Sequence, residues 1–288
     1  SNWVHIDAFS LEGGVEQTHT HYVYGEMHEE YKAGSGLSFD AARSYRIPGF
    51  HWAPIPEWAL FGRYEQRHFS QNNEDGVLEQ LFEMVGTASK FFVEVGVEDG
   101  TECNTRHLRE NLGWRGLMLD NHAPNPTINL VQAVVTPDNI NSLFREHNVP
   151  ENFDFLSIDV DGNDFFLWQA LDPAWKPKVV VVEYNSFVPP ELDLLMPMLT
   201  APNSDPLSAN FGASILSMVE LGRRKGYKLA YAESLGVNLF FVRDDLARLV
   251  PSVHLDDPVK THEILRWRPA KNKLDLTHPD WISSSTVL

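Results

Sequence analysis

Residues 227–242 decide the fold of this chain, and they read Tyr227-Lys-Leu-Ala-Tyr-Ala-Glu-Ser-Leu-Gly-Val-Asn-Leu-Phe-Phe-Val242. Two apolar runs, 227–232 and 237–242, are separated by only four residues. Strands joined so closely must pair antiparallel, because a parallel return needs a connection of a dozen or more residues. A helical pattern over 211–225, ended by Gly226, precedes them. We therefore expect a sheet that closes on an antiparallel hairpin.

Upstream of this hairpin, short apolar runs alternate with helical patterns. The runs that predict strands are residues 91–95, 114–120, 130–135, 153–159 and 179–183. The patterns that predict helices are residues 70–85, the stretch ending near 112, 137–147 and 165–171. Such alternation implies right-handed crossovers and a parallel sheet covered on both faces. We therefore expect an α/β fold, a Rossmann-like, mostly parallel seven-stranded sheet with an antiparallel last strand.

The chain divides into three parts by pattern. Residues 70–250 carry the regular alternation and are expected to form the core. Residues 1–69 show one strand-like stretch near 18–24 and otherwise lack long periodic segments, so they predict an N-terminal cap or a contact between copies of a homo-oligomer. Residues 251–288 are expected to form a tail packed on the core.

Composition excludes several classes of partner. The 288 residues carry 23 basic and 40 acidic side chains, a formal charge of −17. A surface this acidic repels phosphate backbones and anionic lipids, so neither nucleic acid nor membrane is an expected partner. No apolar run approaches the roughly 18 residues that span a bilayer, and no secretory signal pattern is present. Cys103 is the only cysteine, which excludes an intrachain disulfide. We expect a cytoplasmic protein.

A loop with two glycines, Glu94-Val-Gly-Val-Glu-Asp-Gly100, follows the first strand of the predicted sheet. Glycine lets the backbone approach a ligand closely, and the next helix presents free N–H groups at its N-terminus. Asp120 ends the second strand 20 residues beyond Gly100, where a carboxylate can accept both hydroxyls of a ribose. Together these features predict a nucleotide site, although a strand-end aspartate can also cap its own turn. The residues expected to contact the nucleotide are Glu94, Gly96, Glu98, Gly100, Asp120, Asn121, Ala133, Val134 and Asp159.

Two features favour S-adenosylmethionine over NAD as this nucleotide. Glu98 occupies the position of the second glycine in the dinucleotide motif Gly-x-Gly-x-x-Gly. A carboxylate there opposes a pyrophosphate, whereas it attracts the sulfonium cation of S-adenosylmethionine. The closing hairpin is typical of methyltransferases and is absent from the ordinary dinucleotide-binding fold. An NAD-dependent oxidoreductase remains the alternative.

The most acidic motif, Ser157-Ile-Asp-Val-Asp-Gly-Asn-Asp164, follows the fourth strand, and Glu183-Tyr-Asn185 ends the fifth. Carboxylates this close repel one another unless a cation, a hydrogen-bond donor or a proton intervenes. Asp159 with Glu183 or Asn185 can hold a divalent metal such as Mg²⁺, which would acidify an acceptor hydroxyl. In the alternative, residues 161–164 form a turn that caps the next helix, and Asp159 binds the amino group of the cofactor.

Histidine and cysteine side chains offer further chemistry by residue type. His51 and His68 are candidate general bases if the N-terminal segment covers the site, or hydrogen-bonded histidines packed among aromatic residues. Cys103, near the start of the helix after the glycine loop, predicts a lowered thiol pKa or a small packing residue. His19, His21, Glu26 and His28 would form a metal site if the strand turned back on itself; otherwise the histidines lie on a solvated strand face.

Several motifs share a pattern with one known family. They are Ser70-Gln-Asn-Asn-Glu-Asp-Gly76, Phe92-Val-Glu-Val-Gly96, Glu102-Cys-Asn-Thr105, Gly113-Trp-Arg-Gly116, Ser157-Ile-Asp-Val-Asp-Gly-Asn-Asp164, Glu183-Tyr-Asn185 and Phe211-Gly-Ala-Ser214. They resemble bacterial FkbM-type methyltransferase-like proteins over roughly residues 70–249. The resemblance implies a class I fold and S-adenosylmethionine-dependent methyl transfer, usually to a hydroxyl of a natural product or glycan. The chain departs from the family in carrying Asp161 where glutamate is usual.

The metal hypothesis has its own resemblance. Catechol O-methyltransferase-like enzymes bind magnesium at the ends of strands four and five, where Asp159, Glu183 and Asn185 fall here. This chain differs in having Glu-Tyr-Asn in place of adjacent Asp-Asn.

The sequence thus supports a principal hypothesis, an O-methyltransferase that acts on a small-molecule or glycan hydroxyl. Gly96, Gly100 and Asp120 would hold the cofactor, and Asp159 would lie near the chemistry. A scaffold protein that keeps the fold and binds the cofactor without turnover is the alternative from another functional class.

Overall fold

The computed structural model describes residues 4–12, 15–23, 61–199, 209–250 and 274–288. The chain divides into two compact units, Ser1–Tyr64 and Glu65–Leu288. The boundary therefore lies five residues before the one that the sequence pattern predicts.

The first unit contains an antiparallel pair of strands, β1 (Val4–Glu12) and β2 (Val15–Val23). The sequence predicted only the second of them. The alternation of apolar and polar residues in β1 changes phase between Ala8 and Phe9, which hides the strand from a search for strict periodicity. The pair Gly13-Gly14 between the two runs is typical of hairpin connections and is the signal that predicts β1.

The second unit contains a seven-stranded sheet. Its strands are β3 (Phe91–Val95), β4 (Arg115–Asp120), β5 (Leu130–Gln132), β6 (Phe155–Ile158), β7 (Val179–Glu183), β8 (Tyr227–Ala232) and β9 (Asn238–Arg243). Their order in the sheet is β5-β4-β3-β6-β7-β9-β8. The first five strands of this order pair parallel, and β9 runs antiparallel to both β7 and β8. The predicted mostly parallel α/β sheet with an antiparallel last strand is confirmed.

Five α-helices lie among the described residues of this unit. They are α1 (Glu74–Val85), α2 (Arg106–Asn111), α3 (Ile140–Glu146), α4 (Asp164–Ala170) and α5 (Ile215–Lys225). None of these helices is both long and apolar enough to cross a membrane.

Helices α1 and α3 begin later than the sequence predicted, because side chains bind the backbone ahead of them. The Asp75 carboxylate accepts hydrogen bonds from the backbone N–H groups of residues 68, 69 and 70, which holds that stretch as a loop. The N-cap of α3 is Asn139, inside the range predicted to be helical, and its Oδ1 accepts from the Thr136 N–H at 2.7 Å. Asparagine and aspartate compete with helical hydrogen bonds in this way.

The core lies on both faces of the sheet. All residues of β6 are buried, as are the four valines of β7. Strands covered on both sides carry continuous apolar runs rather than alternating ones, which is why their sequences predicted them so directly. Residues 274–288 pack on this core, since Ile282 pairs with Leu195 and the Arg224 guanidinium donates to the Leu288 carbonyl at 2.7 Å.

Candidate functional site

A cleft of about 1130 Å³ opens where the parallel strands end. Its walls include residues that directly follow or end β3, β4, β6 and β7, namely Gly96, Asp120, Asp159 and Glu183. The chain runs outward from β3 to β4 and β5, and then returns to β6 on the other side of β3. Open α/β sheets bind their ligands at such a reversal of strand order.

The two glycines of the loop after β3 both have a positive φ, and neighbouring backbone excludes a side chain at Gly96. Gly96 has φ +83°, and a Cβ there would lie 1.6 Å from the carbonyl oxygen of Asp159. Gly100 has φ +79°, and its Cβ would lie 2.7 Å from Cδ1 of Ile128. The sequence predicted that these glycines let the backbone approach a ligand. Contact with the Asp159 backbone explains Gly96, and a positive φ favours glycine at position 100, which does not line the cleft. Contact of either residue with a nucleotide stays a prediction.

Asp120 holds this loop through both of its carboxylate oxygens. Oδ2 accepts from the N–H groups of Val97 and Glu98 at 2.7 and 2.8 Å. Oδ1 accepts from the backbone N–H and ring Nδ1 of His122 at 2.9 and 2.7 Å. Burial acts to raise the pKa of Asp120, but these hydrogen bonds outweigh it and hold the pKa below its ordinary value. The same contact raises the pKa of His122.

This arrangement limits how Asp120 can meet a ribose. A carboxylate offers about four lone-pair sites, and four donors already occupy those of Asp120. The side chain of His122 is 57% exposed, so its ring can rotate away from Asp120. The backbone N–H groups of Val97 and Glu98 cannot move in this way, because they belong to the loop itself. A ribose hydroxyl bound here would therefore have to displace the His122 ring from Asp120.

Glu94 lies beneath the loop and is buried. Its carboxylate accepts hydrogen bonds from the backbone N–H groups of Asn104 and Thr105 at 2.8 and 3.0 Å, and from the Thr105 hydroxyl. Burial raises the pKa of Glu94 to about 7. Although Glu94 reaches the cleft wall, its oxygens hold the segment that leads into α2. Its predicted role at the ligand stays untested, and its role in positioning this loop is direct.

Cys103 does not have the lowered pKa that its position predicted. The thiol is buried, and burial, followed by the neighbouring Glu94 carboxylate, raises its pKa. The N-terminus of a helix does not lower the pKa of this thiol, because α2 begins only at Arg106. Cys103 is a packing residue at the cleft wall.

Three carboxylates converge at the ends of β6 and β7. One oxygen from each of Asp159, Asp161 and Glu183 lies within 4.8 Å of the other two. Glu183 Oε2 is buried without a hydrogen-bond partner among the described residues, although the same carboxylate accepts the backbone N–H of Asp161. Asp159 is half-buried, and burial and neighbouring carboxylates dominate its surroundings. Burial, reinforced by the neighbouring carboxylates, raises the pKa values of Asp159 and Glu183 well above their ordinary range. Such a cluster retains a proton or binds a cation.

Asn185, predicted as a metal ligand, is not part of this cluster. Its amide donates to the carbonyls of Ala209 and Phe211 at 2.7 and 2.9 Å, and its Oδ1 accepts from the Phe187 N–H at 3.0 Å. It is completely buried, and its hydrogen bonds are satisfied by backbone groups. The structure therefore brings Asp161, and not Asn185, together with Asp159 and Glu183, whereas a metal at this place stays a prediction.

The turn after β6 has the alternative geometry that the sequence allowed. Asp164 Oδ1 accepts from the Val160 N–H at 2.8 Å, and Oδ2 accepts from the Gly162 N–H at 2.9 Å. Burial raises the pKa of Asp164 to about 6. Asp161 has φ 56°, a left-handed conformation that aspartate tolerates. The turn thereby places Asp161 beside Asp159 and Glu183, which strand periodicity alone does not predict.

The other predicted ligand contacts line the cleft, namely Glu98, Asn121, Ala133 and Val134. Val134 is 69% exposed, so it offers an apolar surface to a planar ring. Sequence reasoning missed Glu74 and Asn238, which also line the cleft and share a hydrogen bond of 2.8 Å. They lie on different elements far apart in sequence, and no local motif marks them.

The structure describes only some of the histidines that the sequence singled out. His68 does not line the cleft; its ring stacks on His107, with centroids 4.2 Å apart and planes 10° from parallel. This placement agrees with the alternative of a histidine packed against an aromatic ring, and a role as general base in this cleft has no support among the described residues. His51, Glu26 and His28 lie outside the described residues, and of His19 and His21 the structure gives only the backbone position, opposite Ala8 and Ile6.

No protein-family model and no curated protein sequence matches this chain.

Proposed function

We propose that this chain is an S-adenosylmethionine-dependent methyltransferase that acts on a hydroxyl of a small molecule or glycan. The observation that carries the proposal is the sheet order, in which antiparallel β9 lies between β7 and β8 at the end of an otherwise parallel sheet. This order is typical of class I methyltransferases, and a dinucleotide-binding sheet has no such hairpin.

The charge of the cleft supports the same ligand. Nine aspartate and glutamate residues line it, whereas no lysine or arginine does among the described residues. Such walls repel the pyrophosphate of NAD and attract a sulfonium cation. Ligand pockets for small molecules commonly measure about 300–1,000 Å³, so a cleft of about 1130 Å³ has room for a cofactor and an acceptor.

Within this cleft the residues have distinct roles. The backbone of Gly96 and the carboxylate of Asp120 would hold the cofactor, with Val134 against its adenine. S-adenosylmethionine supplies an electrophilic methyl group on a positively charged sulfur. Asp159 would accept the proton that the acceptor hydroxyl must lose, because burial and the neighbouring carboxylates raise its pKa and so make it a stronger base than an ordinary aspartate.

A divalent metal would be held by the cluster of three carboxylates, Asp159, Asp161 and Glu183. These are oxygen ligands of the kind that Mg²⁺ prefers. A metal there would lower the pKa of the acceptor hydroxyl and would replace the proton that the cluster otherwise retains.

Titration calorimetry with S-adenosylmethionine and with NAD tests the proposal. We expect binding of S-adenosylmethionine only, and loss of that heat in Asp120→Ala. The matched control is Glu191→Ala, an exposed carboxylate that does not line the cleft. Tight NAD binding, or unchanged S-adenosylmethionine binding in Asp120→Ala, would overturn the assignment.

The metal requires a separate measurement. Calorimetric titration of Mg²⁺ or Mn²⁺ into the full chain should give a signal that Glu183→Gln removes. An unchanged signal in that variant assigns the ion elsewhere and leaves the cluster with its proton.

A further inference from the structure

A second group of metal-ligand side chains lies outside the cleft. His68 precedes α1, Glu79 lies on α1 and His107 lies on α2. One ligand atom from each lies within 4.8 Å of the other two, and none of the three residues lines the cleft. Two histidines with one carboxylate form a ligand set typical of zinc.

His107 has a ligand atom without a partner. Its side chain is only 8% exposed, and its Nε2 has no hydrogen-bond partner among the described residues. Buried polar nitrogens are almost always hydrogen-bonded, so this atom calls for an explanation. Nε2 faces the carboxylate of Glu79.

The separation of these two atoms suits a shared ion better than a direct contact. His107 Nε2 lies 3.6 Å from Glu79 Oε2, beyond the normal range of an N–H···O hydrogen bond. Two ligands of one tetrahedral zinc, each at about 2.0–2.1 Å from the metal, lie roughly 3.3 Å apart. A shift of a few tenths of an ångström would bring both atoms onto one zinc ion.

The surroundings of His107 orient its ring. The other ring nitrogen, Nδ1, lies 2.9 Å from the side-chain amide of Asn111, one turn along α2. Metal-ligating histidines usually hold their second nitrogen in this way. When Nε2 binds a metal, the proton is on Nδ1 and the amide oxygen accepts it, which needs only a rotation of an isosteric amide.

His68 completes the set from the exposed side. Its backbone N–H is held by Asp75, while its ring is exposed and stacked on His107. Because the ring is free on its outer face, rotation about its side-chain bonds can bring a nitrogen toward the ion without moving the loop. A metal here would join the loop before α1, α1 itself and α2.

We propose that His68, Glu79 and His107 form a binding site for a transition-metal dication of the zinc class. Three protein ligands leave a fourth tetrahedral position for water or a further ligand. The proposal is independent of methyl transfer, because the site lies outside the cleft and takes a different class of metal from a carboxylate cluster.

Titration of the full chain with Co²⁺ as a spectroscopic substitute for Zn²⁺ tests this site. We expect one equivalent to give the visible absorption of tetrahedral Co²⁺, which added Zn²⁺ abolishes and excess Mg²⁺ leaves intact. His68→Ala and Glu79→Gln should each remove that band, and both positions are exposed enough for the fold to tolerate the change. Asn111→Ala should weaken binding by about 10–100-fold.

His278→Ala is the matched control, because His278 also lies near a carboxylate, that of Asp280 at 3.9 Å, but has no third ligand. This variant should keep the band. A band that persists in both His68→Ala and Glu79→Gln, or one that His278→Ala removes, would place the ion on other side chains and overturn the proposal. An octahedral spectrum or the absence of binding would overturn it as well.

Discussion

Replacing Gly96 by alanine tests whether contact between strand ends fixes the floor of the cleft. The added Cβ would lie 1.6 Å from the Asp159 carbonyl oxygen and 2.7 Å from its carbon, both backbone atoms that no side-chain rotation can move. The end of β3 and the residue after β6 must therefore separate by roughly 1.7 Å, since carbon and oxygen approach only to about 3.3 Å.

Two separate costs lower the free energy of unfolding of Gly96→Ala. A residue with a Cβ at φ +83° costs about 1–2 kcal/mol. Forcing an extra carbon into a packed region costs about 1–3 kcal/mol more. We therefore expect Gly96→Ala to lower the free energy of unfolding by about 2–5 kcal/mol. It should also weaken binding of S-adenosylmethionine, because Asp159 moves with its backbone.

Gly226→Ala provides the matched control. Gly226 has φ +80°, yet a Cβ there meets no atom within 4 Å. Its substitution should cost only the backbone term of about 1–2 kcal/mol and leave ligand binding unchanged. Urea unfolding of both variants and the wild type measures the difference. Equal destabilisation by the two substitutions would refute the claim that the Asp159 carbonyl excludes a side chain at position 96.

Three further predictions concern side chains in or opposite the cleft. Burial raises the pKa of Glu94 from 4.5 to about 7, so the native protein binds more protons than the unfolded chain across that range and loses stability as pH rises through it. The variant Glu94→Gln does not titrate at this position. In urea unfolding, its free energy of unfolding minus that of the wild type should therefore rise by about 3 kcal/mol between pH 4.5 and pH 7. A difference between the two proteins that does not change with pH would contradict the raised pKa. Asp154→Ala should cost about 3–5 kcal/mol by the same measurement, because this buried carboxylate accepts from three consecutive N–H groups at residues 88–90. The affinity of Asp154→Ala for the cofactor should be unchanged, because Asp154 lies at the ends of the strands that face away from the cleft. If the proposed function is right, calorimetry should show that His122→Ala binds S-adenosylmethionine about 3–10-fold more tightly than the wild type. The reason is that the ribose no longer has to displace the imidazole ring from Asp120. Weaker binding would show that the ring itself contacts the ligand.

The sheet was predictable because burial on both faces leaves a direct mark in the sequence. The valine run of β7 was predicted with the bounds that the structure has, Val179–Glu183. Helix starts were less predictable, since they depend on which of several nearby polar side chains binds the backbone. Asp75 and Asn139 delay the starts of α1 and α3, because their side-chain oxygens accept from backbone N–H groups five to seven and three residues earlier, respectively.

The site was predictable only to the level of strand ends. Strand order brings Asp159 and Glu183 together, as the sequence indicated. The third member depended on a backbone conformation, since a left-handed Asp161 follows from the turn held by Asp164 and not from any periodicity. Asn185, which the sequence predicted as a metal ligand, lies beyond the end of β7 and binds backbone carbonyls instead.

The carboxylates around the cleft fall into two groups, and the difference shows where chemistry is to be sought. Glu94, Asp120 and Asp164 each accept hydrogen bonds from at least two backbone N–H groups, so folding explains them. The Oε2 atom of Glu183 has no donor among the described residues, and burial and neighbouring carboxylates dominate the surroundings of Asp159. Burying such groups costs stability unless a proton, a cation or a substrate donor meets them. If the proposed function is right, its chemistry is therefore to be sought at Asp159 and Glu183, whereas contact with the Asp159 carbonyl already explains Gly96 in the glycine loop.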